Sequence, residues 1–159
     1  MRITSQKVVS AISLEWKAKS WDPTMQSIEL PCLRQVILIA DDKASNRELL
    51  RAILEHANYV VVEASDGEEA LLMTSETNPH LVILDIHMPK RDGFNVIREL
   101  RNDPALQDLP IMALTASASL DDRDRIMDSG FDACLVKPIG PAKLRDAVAS
   151  LLQQCKSIT

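Results

Sequence analysis

The chain has 159 residues, 46% hydrophobic and 26% charged, with a net charge of -5. This globular composition excludes wholesale disorder, and the acidic balance argues against direct nucleic-acid binding. No apolar run reaches the ~18 to 20 residues that cross a bilayer, and the N-terminus lacks a signal-peptide core. Three cysteines, Cys32, Cys134 and Cys155, are widely spaced and odd in number. That pattern excludes a zinc ribbon or disulfide framework and suits a reducing compartment. The expectation is a soluble, cytoplasmic protein with no membrane contact.

Residues 1–34 carry five Lys/Arg and three Asp/Glu, while residues 35–159 carry thirteen and twenty. Both tryptophans, Trp16 and Trp21, lie in the first segment, where Val8, Ile12 and Trp16 recur at helical spacing. Pro23 and Pro31 read as a connector, which puts a boundary near Leu33. Residues 1–34 are therefore read as an extension or linker, 35–155 as the domain and 156–159 as a tail.

From Gln35 onward, short apolar runs recur at 36–40, 59–62, 81–84, 111–114 and 133–136. Runs without alternation predict strands buried on both faces, as in a parallel sheet. Helical patterns separate them: Leu49, Leu50, Ile53, Leu54 and Ala57; then Ala70, Leu71 and Met73; then Phe94, Ile97 and Leu100. Ile126 and Met127 mark a weaker helix, and Leu144, Val148, Leu151 and Leu152 a clear last one. Ser65-Asp66-Gly67-Glu68 suggests a capping box, and Pro141 suits a first helical turn. Strands alternating with helices predict a doubly wound α/β sheet whose right-handed crossovers bring all strand-to-helix ends to one edge.

That edge is where open α/β sheets bind ligands. Here it collects Asp41-Asp42 after the first strand, Asp85 after the third, Thr115 after the fourth and Lys137-Pro138 after the fifth. Taken singly, these read as a helix N-cap, a turn residue, a strand threonine and a surface lysine. Those separate readings do not account for their arrival at one edge. Two carboxylates ~5 Å apart at an effective dielectric of ~20 repel by roughly 3 kcal/mol. Three of them call for a cation or a raised pKa. All-oxygen ligands select a hard ion, and Mg²⁺ suits one or two carboxylates plus waters and a phosphoryl oxygen. Lys137 and Thr115 supply donors for the remaining phosphoryl oxygens, and an aspartate can attack phosphorus to give an aspartyl phosphate.

The segments VILIADD at 36–42, Asn46 and Arg47, SDGEEAL at 65–71, LVILDIHMPKRDGF at 81–94, LPIMALTAS at 109–117, SGFDACL at 129–135 and VKPI at 136–139 resemble the receiver domain of two-component response regulators. The resemblance covers about Gln35 to Gln154. It implies a flavodoxin-like fold with five parallel strands in the order 2-1-3-4-5, and Asp85 as phosphoacceptor. It further implies Mg²⁺ held by Asp42 directly, by Asp41 through water, by Asp85 and by the backbone carbonyl of His87. Thr115 and Lys137 would hold phosphoryl oxygens, with the Lys137-Pro138 bond cis. The implied donor is a histidine kinase or histidine phosphotransfer protein in a phosphorelay. The implied chemistry is limited to the domain's own phosphorylation and dephosphorylation.

Two departures from the family pattern stand out. Receivers usually carry Tyr or Phe three residues before the lysine, where this chain has Cys134, read as a small core residue. His87, two residues after the phosphoacceptor, occupies a position that modulates phosphoryl lifetime in the family; alone it reads as an exposed loop histidine. A zinc site through His87 lacks support from the spacing of His56 and His80. The Asp121–Arg125 charge run reads as a solvated face. SIELPC at 27–32 faintly resembles the end of a histidine-kinase ATP-binding domain, which would make the chain a hybrid-kinase remnant without room for an ATP site. With no output domain expected, the downstream partner would be another protein, and oligomeric state is left open. Two alternatives stand beside the receiver: a degenerate receiver that only binds proteins, and an aspartate-based phosphohydrolase. The latter needs a second acid where His87 stands.

Overall fold

A computed structural model describes residues 34–154. The expectations for the Val8–Trp16 pattern, the proline connector, the boundary near Leu33, Cys32, Cys155 and the tail lie outside the described residues. Strands β1 (Val36–Ala40), β2 (Val60–Ala64), β3 (Leu81–Asp85), β4 (Ile111–Thr115) and β5 (Ala133–Val136) alternate with five α-helices. These are α1 (Ala44–His56), α2 (Gly67–Thr77), α3 (Gly93–Asn102), α4 (Leu120–Asp128) and α5 (Pro141–Gln154), with a 3₁₀ turn at Pro104–Leu106. All pairings are parallel and the sheet order is β2-β1-β3-β4-β5, as the resemblance implies.

Side chains alternate across a strand, so each strand feeds two cores. Ile37, Ile39, Leu81, Ile83, Met112, Leu114 and Leu135 pack with Leu50, Ile53 and Leu54 of α1 and with Leu144, Val148, Leu151 and Leu152 of α5. Leu38, Val82, Leu84, Ile111 and Ala113 face the other way, against Ala70 of α2, Val96, Ile97 and Leu100 of α3, and Ile126 of α4. Fully burying one such Leu or Ile stabilises the fold by about 1.5–3 kcal/mol, so the sheet is the main source of stability.

Two sequence expectations need correction. Burial on both faces holds for β3 and β4 and nearly so for β1, but not for β2 or β5. β2 and β5 are edge strands, and Val60 is 40% exposed. An apolar edge strand carries the same composition as a central one, because position in the sheet is decided by topology. The expected capping box is also displaced by one residue. Asp66 is the N-cap, its Oδ1 accepting from Glu69 N–H at 2.9 Å, while Glu69 Oε2 accepts from both the backbone N–H and the hydroxyl of Ser65 at 2.7 Å. Glu69, not Glu68, stands three residues after the cap and can reach back. Pro141 opens α5, as expected.

Candidate phosphoacceptor site

The β1–β3 register pairs Ala40 with Leu84, so Asp41 and Asp85 follow at adjacent strand ends. Both continue the odd-numbered positions that face α1 and α5, and Lys137 continues the same parity from Ala133 and Leu135. A one-residue slip in any of these strands would turn its polar residue to the opposite face. Lys137 Nζ lies 2.8 Å from Asp41 Oδ2 and 3.2 Å from Asp85 Oδ2. Asp41, Asp42 and Asp85 offer carboxylate oxygens that all lie within 4.8 Å of one another. Asp41 and Asp85 are buried and Asp42 is exposed. Thr115, also buried, accepts through Oγ1 from the Ser117 N–H at 3.1 Å, which leaves its own hydroxyl proton to donate. The Lys137-Pro138 bond is cis.

Asp41 is not the cap of α1. That place belongs to Lys43, which caps with no side-chain hydrogen bond. Asp41 instead accepts from Lys43 N–H at 2.9 Å, from Asn46 Nδ2 at 3.0 Å and from Lys137. Burial acts to raise its pKa, but the Lys137, Lys43 and Asn46 hydrogen bonds outweigh it and hold the carboxyl below 3.8. Asp85 goes the other way. Burial is the leading cause, the Asp41 charge adds to it, and Lys137 only partly opposes them, so its pKa is raised. For Lys137, burial favours loss of the proton, but the hydrogen bond it donates to Asp41 and the charges of both aspartates more than compensate and raise its pKa. One ammonium thus faces three carboxylates.

That imbalance, with an all-oxygen donor set, fits a hard divalent cation. Asp42 makes no side-chain hydrogen bond among the described residues and is open to turn toward such an ion. No other group of His, Cys, Asp or Glu side chains that could hold a metal occurs among the described residues. His80 is taken up in structure, its Nδ1 accepting from Val36 N–H at 3.0 Å.

The loop after Asp85 is pinned at several points. His87 N–H donates to Asp85 Oδ1 at 3.3 Å, and the His87 side chain is exposed. Met88 is buried in the core, and Lys90 pairs with Asp66 at 2.7 Å. Gly93 brings the start of α3 against the strand end: an added Cβ would lie 2.9 Å from the Asp85 carbonyl oxygen and from Ile86 Cα. Only glycine allows that approach. Cys134 is partly buried against the α2–α4 side of the core, and burial raises its thiol pKa. An apolar cleft of about 360 Å³ opens beside Lys137, lined by Asn46, Leu49, Leu50, Leu114, Pro138 and Ile139.

The sequence reading missed the partners that hold these groups in place. Asn46 and Arg47 belong to the segments that carry the resemblance, but the sequence announces neither their contacts to Asp41 nor the Lys90–Asp66 pair nor the Ser117–Asp122 hydrogen bond. Each joins residues from different loops or a loop and a helix, so no local spacing announces it. The Asp121–Arg125 run is largely solvated, as expected, except that Asp122 takes the Ser117 hydroxyl and Arg125 stacks 4.6 Å from the Phe94 ring centre.

Residues 37–149 match the family described as the response regulator receiver domain. The chain is 41% identical over 126 residues to the protein named "Probable transcriptional regulator ycf27" from Pyropia yezoensis, covering 79% of this chain and 51% of that one. It thus spans about half the length of that relative. The receiver domain of a signal transduction histidine kinase from Syntrophus aciditrophicus superposes with a TM-score of 0.72 at 33% identity, covering 79% of this chain and 95% of that one. The receiver domain of the sensor histidine kinase PA1611 from Pseudomonas aeruginosa, solved with a magnesium ion coordinated in its active-site cleft, gives 0.71 at 28% identity over 76% and 98% of the two chains. Sheet order, clustered acids and sequence agree: this chain belongs to the response regulator receiver domain family.

Proposed function

We propose that this receiver accepts a phosphoryl group on Asp85 from a histidine kinase or histidine phosphotransfer protein, as a cytoplasmic step of a phosphorelay. The observation that carries this reading is the buried Asp85 carboxylate with Lys137 Nζ at 3.2 Å and the Asp41 and Asp42 oxygens beside it. Asp42 and Asp85, with Asp41 behind them and the His87 backbone carbonyl, would hold Mg²⁺. The ion, when bound, would neutralise phosphoryl charge. An Asp85 carboxylate oxygen attacks phosphorus, the new P–O bond forms as the P–N bond to the donor histidine breaks, and the departing imidazole takes up a proton. Lys137 and the Thr115 hydroxyl donate to phosphoryl oxygens, and positioning supplies most of the rate, as is general for phosphoryl transfer. The apolar cleft beside Lys137, where Leu49 is 54% exposed, supports approach of the donor from the α1 side.

Incubation with Mg²⁺ and acetyl phosphate, read by intact mass, tests the proposal. A gain of one phosphoryl group in the wild type and none in Asp85→Asn is expected. Labelling of the Asp85→Asn variant to the same extent would refute the assignment. Absence of any adduct under donor excess would favour a receiver that only binds proteins, and steady turnover of varied phosphoesters would favour a hydrolase.

A further inference from the structure

Arg47 does something the reaction scheme leaves out. Its Nη1 donates to the main-chain carbonyl of Asp41 at 2.8 Å, its Nε lies 3.4 Å from Glu63 Oε1, and its side chain is 18% exposed. The Asp41 N–H makes the last parallel-ladder bond, to Ala64 O at 3.2 Å. Past Ala64 the β2 chain turns into the cap of α2, so the ladder supplies no donor for the Asp41 carbonyl. The guanidinium takes that place. The carbonyl belongs to the peptide unit joining Asp41 to Asp42, so this bond fixes the plane from which the Asp42 side chain departs. Asp41 has three further side-chain anchors; Asp42 has none.

We infer that Arg47 is a positioning residue for the cation site, aiming the Asp42 carboxylate through the Asp41–Asp42 peptide while Glu63 fixes the guanidinium. This rests on the proposed Mg²⁺ site. The fork geometry matters, because Nη1 meets the carbonyl while Nε meets Glu63, and a lysine ammonium cannot hold both contacts in that arrangement. Outer-shell partners of metal ligands set affinity by about 10- to 100-fold when removed.

Mg²⁺ titration calorimetry on the full chain, with metal-free thermal unfolding in parallel, tests this on wild type, Arg47→Gln, Arg47→Lys and Arg51→Gln. Arg51 is the matched control, since it pairs with the other oxygen of Glu63 at 2.7 Å. Both Arg47 variants should bind Mg²⁺ about ten-fold more weakly or worse, by the same outer-shell precedent. Arg51→Gln, which loses only the more exposed Glu63 pair, should stay near wild type in Mg²⁺ affinity. In phosphorylation by acetyl phosphate, the Arg47 variants should need more Mg²⁺ for half-maximal rate yet approach the wild-type rate at saturation. A purely structural role would not produce that split. Arg47 variants that bind Mg²⁺ as the wild type does would overturn the inference and leave the metal site standing. So would an Arg51→Gln variant that loses Mg²⁺ affinity as far as they do. A wild type that binds no Mg²⁺ would instead overturn the metal site, and this inference with it.

Discussion

At Asp85, the arrangement proposed to accept a phosphoryl group opposes stability. Burial and the neighbouring Asp41 charge raise its pKa above 3.8, so ionising it costs the folded state free energy. Because the folded form holds this proton more tightly, the cost is absent below 3.8 and fully present once pH exceeds the raised value. Asp85→Asn keeps the volume and removes the charge. In metal-free buffer it should therefore unfold at a higher temperature than wild type near neutral pH, with the gap closing as the solution is acidified below 3.8. Asp41 has the opposite sign: its lowered pKa contributes stability above 3.8 that is lost as pH falls through the folded value. Asp41 and Lys137 are coupled to Asp85, so the difference between the two curves reports the Asp85 charge together with that coupling. Thermal melts across this range check it. A pH-independent gap would mean that relieved charge is not the cause.

Among the elements, the site and a polar cluster around Arg101 sit at opposite ends of the strands. The far end is gathered by Arg101 of α3. Its Nε donates to Gly130 O at 3.0 Å, its Nη1 to Leu106 O, Gln107 O and Leu109 O at 3.0, 3.1 and 2.8 Å, and its Nη2 to Asp132 Oδ2 at 2.8 Å. Asp132 also accepts from Ile111 N–H at 2.8 Å, so one side chain joins α3, the 3₁₀ turn, the start of β4 and the α4–β5 turn. Charge-assisted hydrogen bonds contribute about 1.5–3 kcal/mol, and these groups are partly solvated, so Arg101→Met should cost about 2–3 kcal/mol in denaturant unfolding. Phosphorylation of Asp85 should persist wherever the variant is folded. Loss of phosphorylation in folded Arg101→Met would show that the two ends are coupled. Strand positions and helix faces were legible because burial imposes a period on the sequence, and the polar strand ends were legible because topology sends them to one edge. Arg101, Arg47 and Lys90 were not legible as hubs, because a long cation finds its partners only after distant loops have met. Gly93 carries no side-chain pattern either, and its need is set by how closely α3 approaches β3.

Across the described domain, the remaining question is how far a change at Asp85 travels. In the family, an aromatic side chain three residues before the lysine turns as the threonine moves toward the phosphoryl group. Cys134 stands there, paired in register with Ala113 and packed on the α2–α4 side of the core. Burial raises the thiol pKa, with Arg123 only opposing in part, so a neutral, small side chain fills the position. It has no ring to exchange between core and surface, which removes one arm of the usual two-state element. α4 is still lightly held: only Ile126 is buried along it, Leu120 is 77% exposed, and Arg125 over the Phe94 ring is its cross-contact to α3. Segments with few buried contacts open most readily, so α4 is where any spread beyond the loops would first show. Phosphorylation is therefore expected to alter the loops around Asp42, Asp85 and Thr115 more than the face formed by α4, β5 and α5. Amide hydrogen exchange with and without beryllofluoride should show protection changes concentrated in those loops. The Cys134→Tyr variant, given the missing ring, should extend them into residues 119–150. Changes in wild-type α4 and β5 as large as those beside Asp85 would show that Thr115 and the loops alone drive the face.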